Sequence, residues 1–232
     1  MRFLILLSVL LGPEALAHST EGCRGRVDPY RGKPPKPAGT INSGDLSEHL
    51  VPLTLPGLRQ ELKYRGADNV TGAPLYPGQA TCWVRPKLAK ALAAAAKRLA
   101  RGGFGLIVYD CYRPWSAQVA LWSACPKRGL VGDPARGSHH NRGAAVDLGL
   151  IRLDDRSILE MPSDFDDLSH RARHSYAGGS EAARTHRSWL LKTMRRVGLR
   201  SIGSEWWHYQ LPGSRRFPVL DLPFPMGQKP AP

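Results

Sequence analysis

The sequence has only four cysteines and no Cys-x-x-Cys pair, which argues against a structural zinc site built on paired thiolates. It has no His-Glu-x-x-His segment, so any metal site must be assembled from separate stretches rather than from one zinc-protease helix. Beyond residue 17 no run is apolar enough to cross a bilayer as a helix, and no integral membrane association is expected. Internal repeats are absent, which excludes solenoids and propellers. Negative charge is scarce: 19 acidic residues stand against 33 Lys and Arg, a net charge of +14. Such a balance favours contact with anionic surfaces. The arginines are scattered rather than interleaved with aromatics in a stripe, so nucleic acid is not an expected partner. A solvated basic surface is the reading, with electrostatic association to an anionic cell envelope as its consequence.

A length of 232 residues suits one compact domain with a processed leader and tails. Residues 1–17 read as a secretory signal peptide: Arg2 opens it, an apolar run follows, and Ala15-Leu16-Ala17 is an Ala-x-Ala cleavage site. Removing it takes away one Arg and one Glu, so the net charge stays at +14. The mature protein is expected to be exported, periplasmic or secreted. Residues 18–45 are rich in Pro, Gly and Lys and read as an irregular arm, and residues 224–232 as a C-terminal tail. Between them, residues 86–101 predict a helix with proline at its start and Gly102-Gly103 at its end. The apolar run 104–109 predicts a buried strand and residues 114–124 a second helix. Residues 180–197 predict an amphipathic helix with Ser180 as N-cap, Gly198 at its C-terminal end and Trp189, Leu190, Leu191 and Met194 buried.

What is abundant in one place is metal-binding chemistry. Residues 137–147, Gly-Ser-His-His-Asn-Arg-Gly-Ala-Ala-Val-Asp, hold two adjacent histidines and an aspartate. Val146, Leu148 and Leu150 alternate with Ala145, Asp147 and Gly149, the pattern of a half-buried strand that turns Asp147 toward a pocket. Adjacent residues in extended chain point opposite ways, so one of His139 and His140 binds the metal, and spacing alone does not choose. The second stretch, Ser-Glu-Trp-Trp-His-Tyr at 204–209, adds His208 and Glu205. Two imidazoles and one carboxylate, with a fourth position left for water, make a catalytic zinc site. Glu205 and His208 are three apart, so in a regular strand they would face opposite sides. If both serve one site, Glu205 must sit in a turn or bulge at the strand start, with Trp206, Trp207 and Tyr209 walling the site.

The pattern Ser138-x-His140-x-x-Gly143-x-Ala145-x-Asp147, followed by Glu205-x-x-His208, resembles the zinc peptidases that cleave D-alanyl peptides. Within them it is most similar to VanX-type D-alanyl-D-alanine dipeptidases. Asp110-Cys111-Tyr112-Arg113-Pro114, Asp68-Asn69-Val70-Thr71-Gly72 and the stretch 161–166, Met-Pro-Ser-Asp-Phe-Asp, resemble further boxes of that group. The resemblance covers residues 46–223.

It implies an α+β single domain with a small central antiparallel sheet flanked by helices, and central strands at 104–109, 144–150 and 206–211. It implies one Zn2+ per chain on His140, Asp147 and His208, with Glu205 as general base and Arg113 facing the scissile carbonyl. It also implies Asp166 gripping the substrate ammonium and Ser138 holding its carboxylate. On residue chemistry alone, the acids Asp164, Asp166 and Asp167 fit the start of a helix equally well. His170 and His174 read as surface residues or as support behind the site. The implied reaction is hydrolysis of the D-alanyl-D-alanine dipeptide. The alternatives are a D,D-carboxypeptidase or murein endopeptidase of the same superfamily, or a non-catalytic wall-binding protein. Three disulfide connectivities are open for Cys23, Cys82, Cys111 and Cys125. Cys111 replaces a residue that is often glycine in the family's box, and the reading leans to Cys82 with Cys111, leaving Cys23 with Cys125.

Overall fold

Pro86 at the first turn and leucines spaced for one face build helix α1, Pro86–Ala100. Leu88, Leu92, Ala95 and Leu99 are its buried stripe. Gly102-Gly103 ends it, with Gly103 at φ 77° reversing the chain into β4, Phe104–Asp110. The computed structural model describes residues 27–127 and 129–225. The leader expected at 1–17, Cys23 and most of the expected C-terminal tail lie outside the described residues.

After β4 come α2, Trp115–Ala124, and β5, Ala145–Arg152. Then follow α3, Glu181–Arg196, β6, Arg200–Ile202, and β7, Glu205–Gln210. Three short strands precede α1: β1, Val51–Pro52, β2, Arg59–Gln60, and β3, Trp83–Val84. The main sheet has the order β2-β4-β5-β7-β6, and β1 pairs separately with β3. The pairings β4/β5, β5/β7 and β6/β7 are antiparallel, as expected, whereas the short edge strand β2 runs parallel to β4. The α+β class and the three central strands match the expectation; β6 adds a strand that three residues of sequence pattern did not reveal.

Two expectations need correction. β5 is not half-buried: every residue from Ala145 to Ile151 is buried. Helices α1 and α3 pack beside the sheet, and Asp147 is buried at the wall of a cavity. Trp189 is not core: it is 42% exposed, leaning its ring on Phe104 and His186 at 5.2 and 5.7 Å between centroids. Leu190 and Met194 carry the buried stripe of α3, and Leu191 is half-buried.

The expected arm is irregular over its described part but not loose. Asp28 accepts from the amides of Tyr30 and Gly32 and from Trp122 Nε1 and Ser123 Oγ on α2. Tyr30 reaches Asp133 with its hydroxyl, at 3.2 Å. Cys82 and Cys111 are disulfide-bonded, with Cα atoms 5.7 Å apart. The other expected pairing involves Cys23 and so lies outside the described residues.

Ser180 caps α3 as expected, accepting from Ala183 N at 3.0 Å and donating to Glu160 at 2.8 Å. Ser180→Ala is expected to cost about 1 kcal/mol, lowering Tm by ~2–4 °C for a domain of this size. Catalytic activity at 25 °C should not change. A thermal melt and an assay of the purified variant check both.

Candidate metal centre

Gly143 shows why the turn before β5 has its sequence. It sits at φ 61°, and a Cβ there would fall 2.3 Å from Leu50 Cδ2. Only glycine satisfies both constraints. The short 3-10 turn His140–Arg142 that precedes it is pinned from several sides. Arg85 N donates to Gly143 O (2.7 Å) and Arg85 Nε to Arg142 O (2.9 Å). Arg113 N donates to His140 O at 3.2 Å, while buried Asn141 returns a bond from its amide to Arg113 O at 2.8 Å. The turn that carries His140 and the turn that carries Arg113 are thereby locked together.

Strand register then completes the donor set. Asp147 on β5 lies directly across from His208 on β7. His140 Nε2, His208 Nδ1 and Asp147 Oδ1 form a triangle with sides of 3.1, 3.1 and 3.3 Å. A tetrahedral zinc with bonds of about 2.05 Å sets its ligands about 3.3 Å apart, so the donor set fits that ion. All three residues are buried. The remaining ring nitrogens are occupied: His140 Nδ1 meets Cys111 O at 2.8 Å and Asp110 Oδ2 at 3.3 Å, and His208 Nε2 meets Gln210 Oε1 at 3.0 Å. Such outer contacts fix the ring and the tautomer of a ligating histidine.

His139, whose place the spacing left open, is not one of the three. Its Nδ1 is 2.7 Å from Ser214 Oγ, and burial together with the charges of His208 and Arg215 lowers its pKa to about 3.

Glu205 is the first residue of β7, where the β6/β7 register shifts. That irregularity is the bulge the spacing demanded, and it puts Glu205 Oε2 at 4.0 Å from His208 Nδ1. Both line a cavity of about 340 Å³ together with Arg113, Ser138, His140, Asp147 and Asp166. Every residue the sequence nominated for the site is therefore at one chamber. Of the expected aromatic wall only Trp207 lines it. Trp206 is turned away, donating to Ser163 Oγ at 3.0 Å, and Tyr209 hydrogen-bonds back to Trp206 O.

Asp166 adopts φ 62°, a strained backbone for a non-glycine residue that recurs at functional sites. No α-helix begins at Asp166; a 3-10 turn, His170–Ala172, starts beyond the cluster, and Asp167 accepts from the amide of its N-cap Ser169 at 2.9 Å. The Asp166 carboxylate accepts from buried Tyr64 at 3.0 Å. Arg113 is held by Asp110 Oδ2, which accepts from Nε (3.0 Å) and Nη2 (2.5 Å). Tyr76 donates to the other Asp110 oxygen at 2.7 Å, and the guanidinium carbon lies 4.8 Å from the Tyr64 ring centroid. Sequence patterns did not single out Tyr64, Tyr76, Gln118 or Asn141; each acts through another residue, and no spacing announces that. His174 is half-buried against Tyr209, with neither ring nitrogen hydrogen-bonded.

Burial pushes the Glu205 carboxyl up to about 8, and burial pushes Asp166 up to about 7, in both cases with other carboxylates adding to the effect. Asp147 goes the other way: burial raises it, but His140 and His208 outweigh burial and hold it below the usual carboxylate range. A carboxyl raised by folding contributes stability that is complete below its unfolded pKa and lost as pH rises through its folded pKa. In metal-free protein the Glu205 contribution is therefore lost between about pH 4.5 and 8. His139 and His174, lowered to about 3 and 4, titrate in the opposite sense, so a difference measurement is needed. Glu205→Gln, chelator-treated, should exceed chelator-treated wild type in Tm at pH 8 by at least ~2 °C. That margin should vanish near pH 4.5. Parallel melts across the pH range check this.

The family described as D-ala-D-ala dipeptidase, peptidase M15, matches residues 47–229. A D-alanyl-D-alanine dipeptidase of Escherichia coli (strain K12) is 40% identical over 165 residues, 71% of this chain and 84% of the relative. The protein of the same name from Enterococcus faecalis (strain ATCC 700802 / V583) is 33% identical over 190 residues, 74% of this chain and 90% of the relative. A third, from Streptomyces coelicolor (strain ATCC BAA-471 / A3(2) / M145), is 33% identical over 188 residues, 73% of this chain and 92% of the relative. With the match extending over most of the chain, this protein belongs to the M15 peptidase family of D-ala-D-ala dipeptidases.

Proposed function

We propose that this chain hydrolyses the free dipeptide D-alanyl-D-alanine to two D-alanines, with one zinc ion held by His140, Asp147 and His208. The observation that carries the reading is the donor triangle of 3.1–3.3 Å opening on the same cavity as Glu205, Arg113 and Asp166. When bound, zinc supplies positive charge at the scissile carbonyl and lowers the pKa of a water beside it to about 7.

The chain's own groups do the rest. Glu205 takes a proton from the attacking water as its oxygen adds to the carbonyl carbon. The guanidinium of Arg113, charged because Asp110 outweighs the penalty of its burial, stands by the oxygen that becomes negative. When the C–N bond breaks, Glu205 hands the proton to the leaving amine. Asp166 and Tyr64 receive the free ammonium of the first residue, and Ser138 the carboxylate of the second. A cavity of about 340 Å³ with a buried carboxylate at the ammonium end fits a dipeptide and rejects a chain that continues beyond its amine. The protein needs no covalent intermediate.

The test is alanine release from D-Ala-D-Ala, L-Ala-L-Ala, N-acetyl-D-Ala-D-Ala and a wall pentapeptide ending in D-Ala-D-Ala, with and without a chelator. Chelator-sensitive cleavage of the free D,D-dipeptide alone is expected. Cleavage of the acetylated dipeptide or pentapeptide would remove the Asp166 gate and make the carboxypeptidase reading the better one. Glu205→Ala should keep zinc and lose about 10²–10⁴-fold in kcat. His140→Ala should lose zinc and His139→Ala should keep it; the reverse outcome refutes the ligand set.

We also propose that the enzyme is exported. Residues 1–17 have the charge, apolar run and cleavage site of a leader, and Cys82–Cys111 is a bond that persists in oxidising compartments. Intact mass of protein recovered from an expressing bacterium should correspond to a chain beginning at His18. A cytoplasmic product that keeps Met1 counts against export.

A further inference from the structure

Helix α2 buries Ala117, Leu121 and Trp122, and among them one polar side chain, Gln118. Gln118 is 0% exposed. A buried amide costs free energy unless its oxygen and nitrogen are both engaged, and an apolar residue would fill the same space without that demand. Both ends of Gln118 are engaged. Its Oε1 accepts from Arg113 Nη1 at 2.8 Å, and its Nε2 donates to Gly132 O at 2.8 Å.

The two partners belong to different walls of the cavity. Arg113 ends the turn after β4; Gly132 lies in the 129–138 stretch that carries Ser138. Gly132 also packs directly on Ser138, since a Cβ built on it would lie 3.3 Å from Ser138 Cβ. Arg113 has five N–H donors. Asp110 takes Nε and one on Nη2, and Gln118 takes one on Nη1. The Tyr76 hydroxyl is a further hydrogen-bond partner of the guanidinium. Gln118 thus helps set which N–H is left for substrate, and it ties the guanidinium to the stretch bearing Ser138.

We propose that Gln118 is a positioning residue, a strut that fixes the Arg113 guanidinium and the Ser138 stretch in one relation to each other. The inference rests on the proposed role of Arg113 in D-Ala-D-Ala hydrolysis. Gln118 touches no substrate in this account and acts through Arg113.

The test is a double-mutant cycle on the zinc-loaded protein with D-Ala-D-Ala as substrate. Gln118→Met keeps the side-chain volume and removes both bonds. Expected are a loss in kcat of roughly tenfold to hundredfold, as for a misplaced catalytic group, and unchanged zinc content. In an Arg113→Ala background the same change should cost less than about twofold, because the group it positions is gone. A tenfold loss in both backgrounds would mean a structural role alone and overturns the proposal. So does a Gln118→Met enzyme with wild-type kcat, or one whose loss follows its zinc content. If wild-type protein releases no alanine from D-Ala-D-Ala, the functional reading itself falls, and this inference falls with it. That outcome is read from the wild-type control before any variant is compared.

Discussion

Three carboxyl groups, Asp147, Asp166 and Glu205, are buried on one small chamber, with a fourth, Asp110, buried behind Arg113 and His140, and the rest of the structure answers to that crowding. Like charges in a medium of low dielectric cannot all stay ionised without compensation. One guanidinium, Arg113, is buried with them; Asp110 engages it on two nitrogens. Asp147 stays ionised because two imidazoles face it. Asp166 and Glu205 are less well compensated, by Arg113 and by His208 at 4.0 Å respectively, and burial drives both toward the neutral form. A divalent cation bound at the donor triangle would offset that imbalance. The same arrangement that leaves the metal-free protein with uncompensated carboxyls offers a cation three donors and sets Glu205 beside them.

Holding those groups takes an unusual amount of backbone. The three central strands place Asp147 and His208 in register, but His140, Arg113 and Asp166 stand on turns. Each turn is fixed by contacts that look incidental in isolation: Asn141 across to Arg113 O, Arg85 onto the Gly143 turn, Cys111 O under the His140 ring. The Cys82–Cys111 bond closes the segment that supplies that last carbonyl. Precision at the site is thus distributed over residues that do no chemistry.

This division explains what the sequence disclosed. Helix α1, the strand run at Phe104 and the cap at Ser180 were legible because periodicity and capping chemistry are local. The bulge at Glu205 was legible for a different reason: two residues with one task stood at a spacing no regular strand allows. The choice between His139 and His140 was not legible from spacing, since extended neighbours differ only in which way the chain turns, and Ser214 and Cys111 decide that from far along the chain. The burial of β5 on both faces, the exposure of Trp189 and the role of Gln118 were illegible for the same reason. Each depends on what lies across a gap, and the alternation of Val146, Asp147 and Leu148 is the same whether that gap is bulk water or a cavity lined by other elements.

The third corner of the donor triangle comes late in the chain. His208 lies 61 residues after Asp147, on a strand that follows α3 and pairs with β5 only when the sheet closes. While the chain is being made or threaded, residues 140 and 147 can offer a histidine and an aspartate and nothing more. Forming such a distant pairing is slow because loop closure precedes any reward from it. The donor triangle is therefore complete only once β7 has paired with β5, so its third corner reports a closed sheet.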